Sequence, residues 1–249
     1  NEYMELGLRY PPTFTQVSTT EEAAQVLRST VIDLVICMPG NADNDAFDVA
    51  RDIKGKFPNI HCVVLTPFSH GITKRMENED LSIFDYVFCW LGNTNLILSI
   101  IKLIEDKMNL EHDIREAGVQ MILLVEDSIR FYSSILPNLY NYILEQSKNF
   151  SKEALNRHAA TMRMRGRPKV VLARTYEEAQ KLYDKYSNNT LGVISDARFP
   201  LKSAAKAFGN KVETEAKPKH RTDTFGREKC PDAGLQLFRY IRKNDPFVP

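Results

Sequence analysis

Short apolar runs alternate with segments of helical periodicity along this chain. The runs are too short for helices, and the segments between them repeat apolar side chains at spacings of three and four. This alternation predicts strands joined by helices, and therefore a parallel, doubly wound sheet of the α/β class. The predicted strands are Thr13–Val17, Ile32–Met38, His61–Leu65, Tyr86–Trp90, Met121–Val125 and Leu191–Ser195.

One helix is predicted to be unusually long. It runs from Asn93 to about Glu116, with Asn93 or Thr94 as N-cap and Gly118 as the residue that ends it. Its apolar stripe is dense up to Met108 and thins beyond, which leaves two interpretations. The helix over 93–118 is either a stiff connector that also packs against a second copy of the chain, giving a homodimer, or a final helix followed by a flexible linker.

The chain contains an internal repeat. Thr20-Glu21-Glu22-Ala23 precedes Val35-Ile36-Cys37-Met38 much as Tyr176-Glu177-Glu178-Ala179 precedes Val193-Ile194-Ser195-Asp196. We therefore predict two copies of one α/β unit, residues 1–118 and 119–249. Each copy is expected to be incomplete, the first lacking its first strand and the second stopping before its fourth.

Acidic residues follow two of the predicted strands. Glu126 and Asp127 come directly after Met121–Val125, and Asp196 follows Leu191–Ser195. If these strands are neighbours in a parallel sheet, the three carboxylates meet in one crevice at its carboxyl edge. Their mutual repulsion calls for a cation, and hard oxygen ligands suit Mg²⁺.

These residues resemble a known family. Val125-Glu126-Asp127 is similar to the acidic pair of response-regulator receiver domains, and Val193 to Pro200, with its proline four residues after Asp196, is similar to their phosphoacceptor strand. The resemblance implies two flavodoxin-like domains in tandem. It implies that Asp196 accepts a phosphoryl group from a histidine kinase, a phosphotransfer protein or a small phosphodonor. Glu126, Asp127, Asp196 and the backbone carbonyl of Arg198 would hold Mg²⁺.

The same resemblance marks the first copy as degenerate. Met38 stands where the second copy has Asp196, and a thioether cannot form an acyl phosphate. Thr66 matches the switch hydroxyl of the family, but Cys89 or Trp90 takes the place of its lysine. We therefore expect a pseudo-receiver, used for packing or partner binding. The chain as a whole would be a switch in two-component signalling rather than an enzyme.

A second resemblance concerns what such a switch could control. The residues around Asp196, with Asp232-Ala233-Gly234 and Arg242-Lys243-Asn244-Asp245-Pro246, are similar to regulatory regions of bacterial proteins related to phosphoenolpyruvate synthase or pyruvate phosphate dikinase. No swivelling histidine or nucleotide-binding motif is present. No catalytic residue of those enzymes can therefore be assigned here.

Three other interpretations remain open at this level. The acids could simply cap turns at strand ends. A phosphatase or mutase of the haloacid-dehalogenase kind would need a second aspartate two residues after Asp196; Arg198 stands there, which argues strongly against such an enzyme. The chain could also be a non-catalytic interaction or dimerisation scaffold that regulates a larger enzyme.

Composition and net charge limit the kinds of partner that the chain could bind. With 249 residues, 43% of them hydrophobic and 26% charged, the chain has an ordinary globular composition. A net charge of +1 argues against nucleic acid, despite basic segments at about 151–167 and 201–229, and no apolar run could span a membrane. The four cysteines lack C-x-x-C spacing, which predicts buried free thiols and a cytoplasmic location.

Overall fold

The computed structural model describes residues 12–38, 46–67, 81–202 and 227–249, and this part of the chain has the predicted α/β class with parallel sheets. Its helices are α1 (Thr20–Ser29), α2 (Ala46–Lys56), α3 (Asn95–Ala117), α4 (Ile129–Lys152), α5 (Arg157–Arg165), α6 (Tyr176–Tyr186) and α7 (Ala233–Asn244). Its strands are β1 (Leu34–Cys37), β2 (His61–Pro67), β3 (Tyr86–Trp90), β4 (Met121–Val125), β5 (Lys169–Ala173), β6 (Thr190–Ser195), β7 (Phe199–Pro200) and β8 (Lys229–Cys230). Most of the second basic segment, 203–226, lies outside the described residues.

Contacts divide the chain into two compact units. The first takes the described residues up to 104 together with 133–167, and the second takes 105–132 and the described residues from 168 onward. The chain passes from one unit to the other within α3 and within α4. This grouping differs from the predicted division at residue 118, which follows the sequence repeat rather than packing.

The first unit is built on the parallel sheet β1-β2-β3. Cys62 to Leu65 of β2 are all buried, as expected for a strand covered on both faces. Helix α4 contributes Leu136, Tyr140 and Leu144, which recur every four residues and are fully buried. The Ser133 Oγ on the same helix accepts the Cys89 N–H of strand β3 at 2.9 Å.

The second unit is built on the parallel sheet β5-β4-β6. Its core joins apolar side chains of β4 and β5 to those of α6 and α7. The members with the lowest exposure are Met121, Leu123, Val125, Ala173, Ala179, Tyr183, Phe199, Ala233 and Leu237. The short antiparallel pair β7 and β8 joins this unit just after β6.

Helices α1 and α6 begin in the same way. Thr19 and Thr175 are their N-caps, and each side chain accepts the N–H of the glutamate three residues later, Glu22 or Glu178. Each glutamate in turn accepts backbone N–H groups just before the helix. The repeated sequence therefore forms the same helix start in both places, before β1 in one case and β6 in the other.

Helix α3 matches the predicted long helix. Asn93 Oδ1 accepts the Asn95 N–H at its start, and Gly118 ends it with a φ of +59°, its N–H bonded to the Ile114 carbonyl. Met108, the last residue of the predicted dense stripe, is 48% exposed, whereas Leu110 beyond it is buried in the core of the second unit. The stiff connector and the homodimer stay predictions.

One strand prediction was wrong. Residues Thr13 to Val17 form no strand; their side chains are exposed, and the described residues offer them no neighbouring strand. A segment of extended chain cannot form a β-ladder without a partner backbone. The sequence Glu2–Tyr10, whose apolar residues have helical spacing, lies outside the described residues.

Two predictions from composition can be compared directly with the structure. The four cysteines are free thiols, three of them buried. Among the described residues, no helix combines the length and apolar character needed to cross a membrane.

The outer edge of β5 is closed by a buried carboxylate. Asp106 of α3 is fully buried and accepts the Val170 N–H at 2.9 Å. Lys169 lies 3.8 Å from Asp106 and 2.7 Å from Asp113, so the buried charge is compensated. The Val170 N–H, a donor on the edge strand β5, therefore has a hydrogen-bond partner.

We expect Asp106→Ala to destabilise the protein by about 2–3 kcal/mol, because it leaves the Val170 N–H and part of the Lys169 charge without a partner. Asp106→Asn keeps an acceptor and should cost less. Denaturant unfolding of both variants measures the difference. Equal losses would show that the Val170 hydrogen bond contributes little.

Candidate functional site

The acidic residues lie where the strand order of the second sheet reverses. After β4 the chain goes to β5 on one side and then crosses to β6 on the other, so β4 lies between them. Val125 and Ser195 are paired in register, and Asp196 N–H donates to the Val125 carbonyl at 2.9 Å. In open α/β sheets, ligands bind outside the carboxyl ends of the strands at such a reversal.

The structure brings together the three acids singled out from the sequence. Carboxylate oxygens of Glu126, Asp127 and Asp196 all lie within 4.8 Å of one another. Asp127 is fully buried, Glu126 is 5% exposed, and Asp196 is partly open to solvent. Of the three, Asp196 is therefore the carboxylate that a ligand from solution reaches most readily.

Glu126 is held in a conformation that favours its neutral form. The pKa of its carboxyl is raised to about 7, mainly by burial; the nearby Asp196 and Asp127 contribute to the rise, and the Ser128 N–H and Lys229 oppose it. The Ser128 N–H donates to Oε1 at 2.9 Å. A cation close to these oxygens would favour the charged carboxylate instead.

A lysine that the sequence did not single out reaches into the site. Lys229 Nζ lies 2.7 Å from Oδ2 of Asp127. It comes from β8, which pairs antiparallel with β7, so that Lys229 lies opposite Pro200. The pairing of Pro200 with a residue so far along the chain had no signal in the local sequence.

The start of α7 packs directly on the backbone of the site. The Gly234 N–H donates to the Ala197 carbonyl at 3.1 Å, and a Cβ at Gly234 would lie 2.3 Å from the Asp196 carbonyl oxygen. Only glycine fits this approach. Asp196 Oδ1 also accepts the Ala197 N–H at 2.7 Å, so both the backbone and the side chain of Asp196 are held in place.

The remaining predicted site residues lie elsewhere. Arg198 is exposed in the turn between β6 and β7. Met38 follows β1 and is 60% exposed, whereas Thr66 is buried in β2 and its hydroxyl donates to the Pro67 carbonyl. In the part of the chain that the structure describes, no second group of three potential metal ligands occurs.

Two arginines of the basic segment at 151–167 make contacts within the protein. Arg163 donates to the Phe150 carbonyl at 2.7 Å and lies over the ring of the same residue. Arg167 is buried and lies over the ring of Tyr140. These contacts stabilise the helix α5 and the turn that follows it.

The donor set at the acidic site suits a hard divalent cation. It offers carboxylate oxygens alone, which Mg²⁺ prefers. A positive group, the Lys229 ammonium, already lies against the most buried of the acids. The residues present therefore fit a cation of this kind.

Searches against models of protein families, curated proteins and solved structures find no match to this chain.

The raised pKa of Glu126 predicts a pH dependence of stability. In chelator-treated protein, the folded state binds the Glu126 proton up to a pKa of about 7, whereas the unfolded chain releases it near 4.5. The folded state therefore holds more protons in this window, and the free energy of unfolding should fall by about 2–3 kcal/mol as the pH rises through it.

Glu126→Gln should remove this slope, and Glu177→Gln, at an exposed ion pair with Lys181, should keep it. Denaturant unfolding at several pH values gives the comparison. A slope that is the same in all three proteins would mean that Glu126 does not cause it.

Proposed function

We propose that this chain is a phosphoacceptor switch of the receiver type, in which Asp196 takes up a phosphoryl group at a cation-binding acidic site. The observation that carries the proposal is the convergence of Glu126, Asp127 and Asp196 at the reversal of strand order. Response-regulator receivers, which the sequence around these residues resembles, use this arrangement. The chain would be a substrate and switch rather than an enzyme.

The strand order supports a flavodoxin-like assignment for both sheets. Flavodoxin-like sheets have the order 2-1-3-4-5. The order β5-β4-β6 corresponds to strands 2-1-3 of that pattern, and β1-β2-β3 corresponds to 3-4-5. The shared capping of α1 and α6 supports this assignment, since the repeated sequence precedes β1 in one sheet and β6 in the other, the proposed third strand of each. Two tandem copies, each with part of the pattern, would produce this result.

The residues of the site suit distinct roles in the transfer. A carboxylate oxygen of Asp196 would attack phosphorus and form an acyl phosphate as the bond from phosphorus to the donor's nitrogen or oxygen breaks. The hydrogen bond from the Ala197 N–H holds this carboxylate in position, and the close approach of Gly234 fixes the Asp196 backbone. Glu126 and Asp127, buried beneath it, would hold Mg²⁺, with the Arg198 carbonyl as a further ligand. Bound Mg²⁺ supplies neutralisation of the phosphoryl oxygens.

The first unit would not take part in the transfer. Met38 has no group that can be phosphorylated, and Thr66 already donates its hydroxyl to the Pro67 carbonyl. A histidine kinase, a phosphotransfer protein or a small phosphodonor would supply the phosphoryl group to Asp196 alone.

A scaffold without phosphotransfer is the second candidate. It is favoured by exposed apolar side chains on β6 and α7, among them Ile194, Leu235 and Phe238. Such a protein would bind a partner or a second copy equally well with and without a phosphoryl group. The regulation of an attached or separate enzyme fits either candidate.

Beryllofluoride with Mg²⁺, a mimic of the acyl phosphate, should raise the thermal midpoint of the full chain, since it binds only the folded site. Asp196→Asn should abolish the effect, because the amide cannot act as the carboxylate nucleophile. Met38→Ala and the exposed Asp48→Asn serve as controls and should respond like the wild type.

Acetyl phosphate should likewise label the wild type, but not Asp196→Asn, with a hydroxylamine-sensitive phosphoryl group seen by intact mass spectrometry. Beryllofluoride binding or labelling that persists in Asp196→Asn would remove the assignment. Partner binding unaffected by either reagent would favour the scaffold.

A further inference from the structure

Lys229 occupies the acidic site as an intrinsic cation. Its Nζ is 2.7 Å from Oδ2 of Asp127, a side chain with no solvent exposure, and the lysine side chain is itself only 21% exposed. At this distance the ammonium is in direct contact with the carboxylate. A charge pair removed from solvent in this way is far less screened than one at the surface.

The position of Lys229 is set by the backbone rather than by a flexible surface side chain. Its strand, β8, pairs with β7, whose Phe199 is fully buried. Three residues after Cys230, helix α7 begins, and Gly234 packs on the backbone of Asp196 and Ala197. The lysine is therefore anchored, by its own strand pairing and by the helix that follows it, to the same segment that carries the proposed phosphoacceptor.

We propose that Lys229 is a built-in competitor of the divalent cation, which can bind fully only when the ammonium leaves Asp127. This inference rests on the proposed function in one respect, namely that the three acids bind a cation. Two positive groups next to one buried carboxylate repel each other strongly, so the cation must displace the lysine toward solvent. Lys229 would thereby set the cation concentration at which the site is filled.

The competition predicts a gain of affinity when the lysine charge is removed. Lys229→Met, in the full chelator-treated chain, should bind Mn²⁺ at least about tenfold more tightly than the wild type, measured by calorimetry or by the electron paramagnetic resonance of free Mn²⁺. Lys229→Arg should bind no more tightly than the wild type. Lys181→Met is the matched control, since it removes one lysine from an exposed pair with Glu177, and its affinity should not change.

A measurement on the wild type covers the case in which Lys229→Met does not fold. Reductive methylation, located by peptide mass spectrometry, should modify Lys229 faster when Mg²⁺ is present than in chelator, because the cation frees the ammonium. The extent of modification at Lys181 should be the same in both conditions.

The outcomes separate this inference from the function on which it rests. Suppose that the wild type binds Mn²⁺ and that Asp196→Asn weakens this binding. If Lys229→Met then binds Mn²⁺ equally or less tightly than the wild type, Lys229 does not compete with the cation, and the cation site stands. Unchanged methylation of Lys229 under conditions where Mg²⁺ binds would overturn it as well. If no divalent cation binds the wild type or any variant, the proposed cation site fails, and the competition fails with it.

Discussion

The placement of negative charge at the carboxyl edge of the β5-β4-β6 sheet is the constraint on which the site depends. Glu126 and Asp127 follow β4 directly, and the parallel strand β6, which is paired in register with β4, is followed by Asp196. The three acids therefore lie at the same edge of the sheet. Buried carboxylates are costly unless protonated or paired. The protein uses both means, since the pKa of Glu126 is raised to about 7 and Asp127 is paired with Lys229.

This constraint explains the local architecture around Asp196. The pairing of β7 with β8 positions Lys229 next to Asp127. The absence of a side chain at Gly234 allows α7 to pack against the Asp196 backbone. Both features lie in the stretch after β6. Phe199–Pro200 and Lys229–Cys230, which lie far apart in the sequence, form the short antiparallel pair that joins this stretch.

Polar side chains on two helices accept backbone N–H groups at the edges of the two parallel sheets. Asp106 closes the edge of β5 in the second unit, and Ser133 closes the edge of β3 in the first. Each accepts a backbone N–H that no strand among the described residues pairs with, which removes the cost of an unsatisfied donor. These helices therefore stabilise the sheets through specific hydrogen bonds as well as through apolar packing.

The sequence by itself determined the elements that have strong local signals and the identity of the acids. Apolar runs and helix caps are local signals, so β2, β3, β4 and the ends of α3 were predicted closely, and a strand-end acid is visible wherever it falls. The strand predicted at Thr13–Val17 is absent, because a strand forms only by pairing with another strand. Only tertiary structure decided that α4 packs from Ser133 onward with the first unit and that Lys229 meets Asp127. Such contacts join residues distant in sequence, and no local periodicity encodes them.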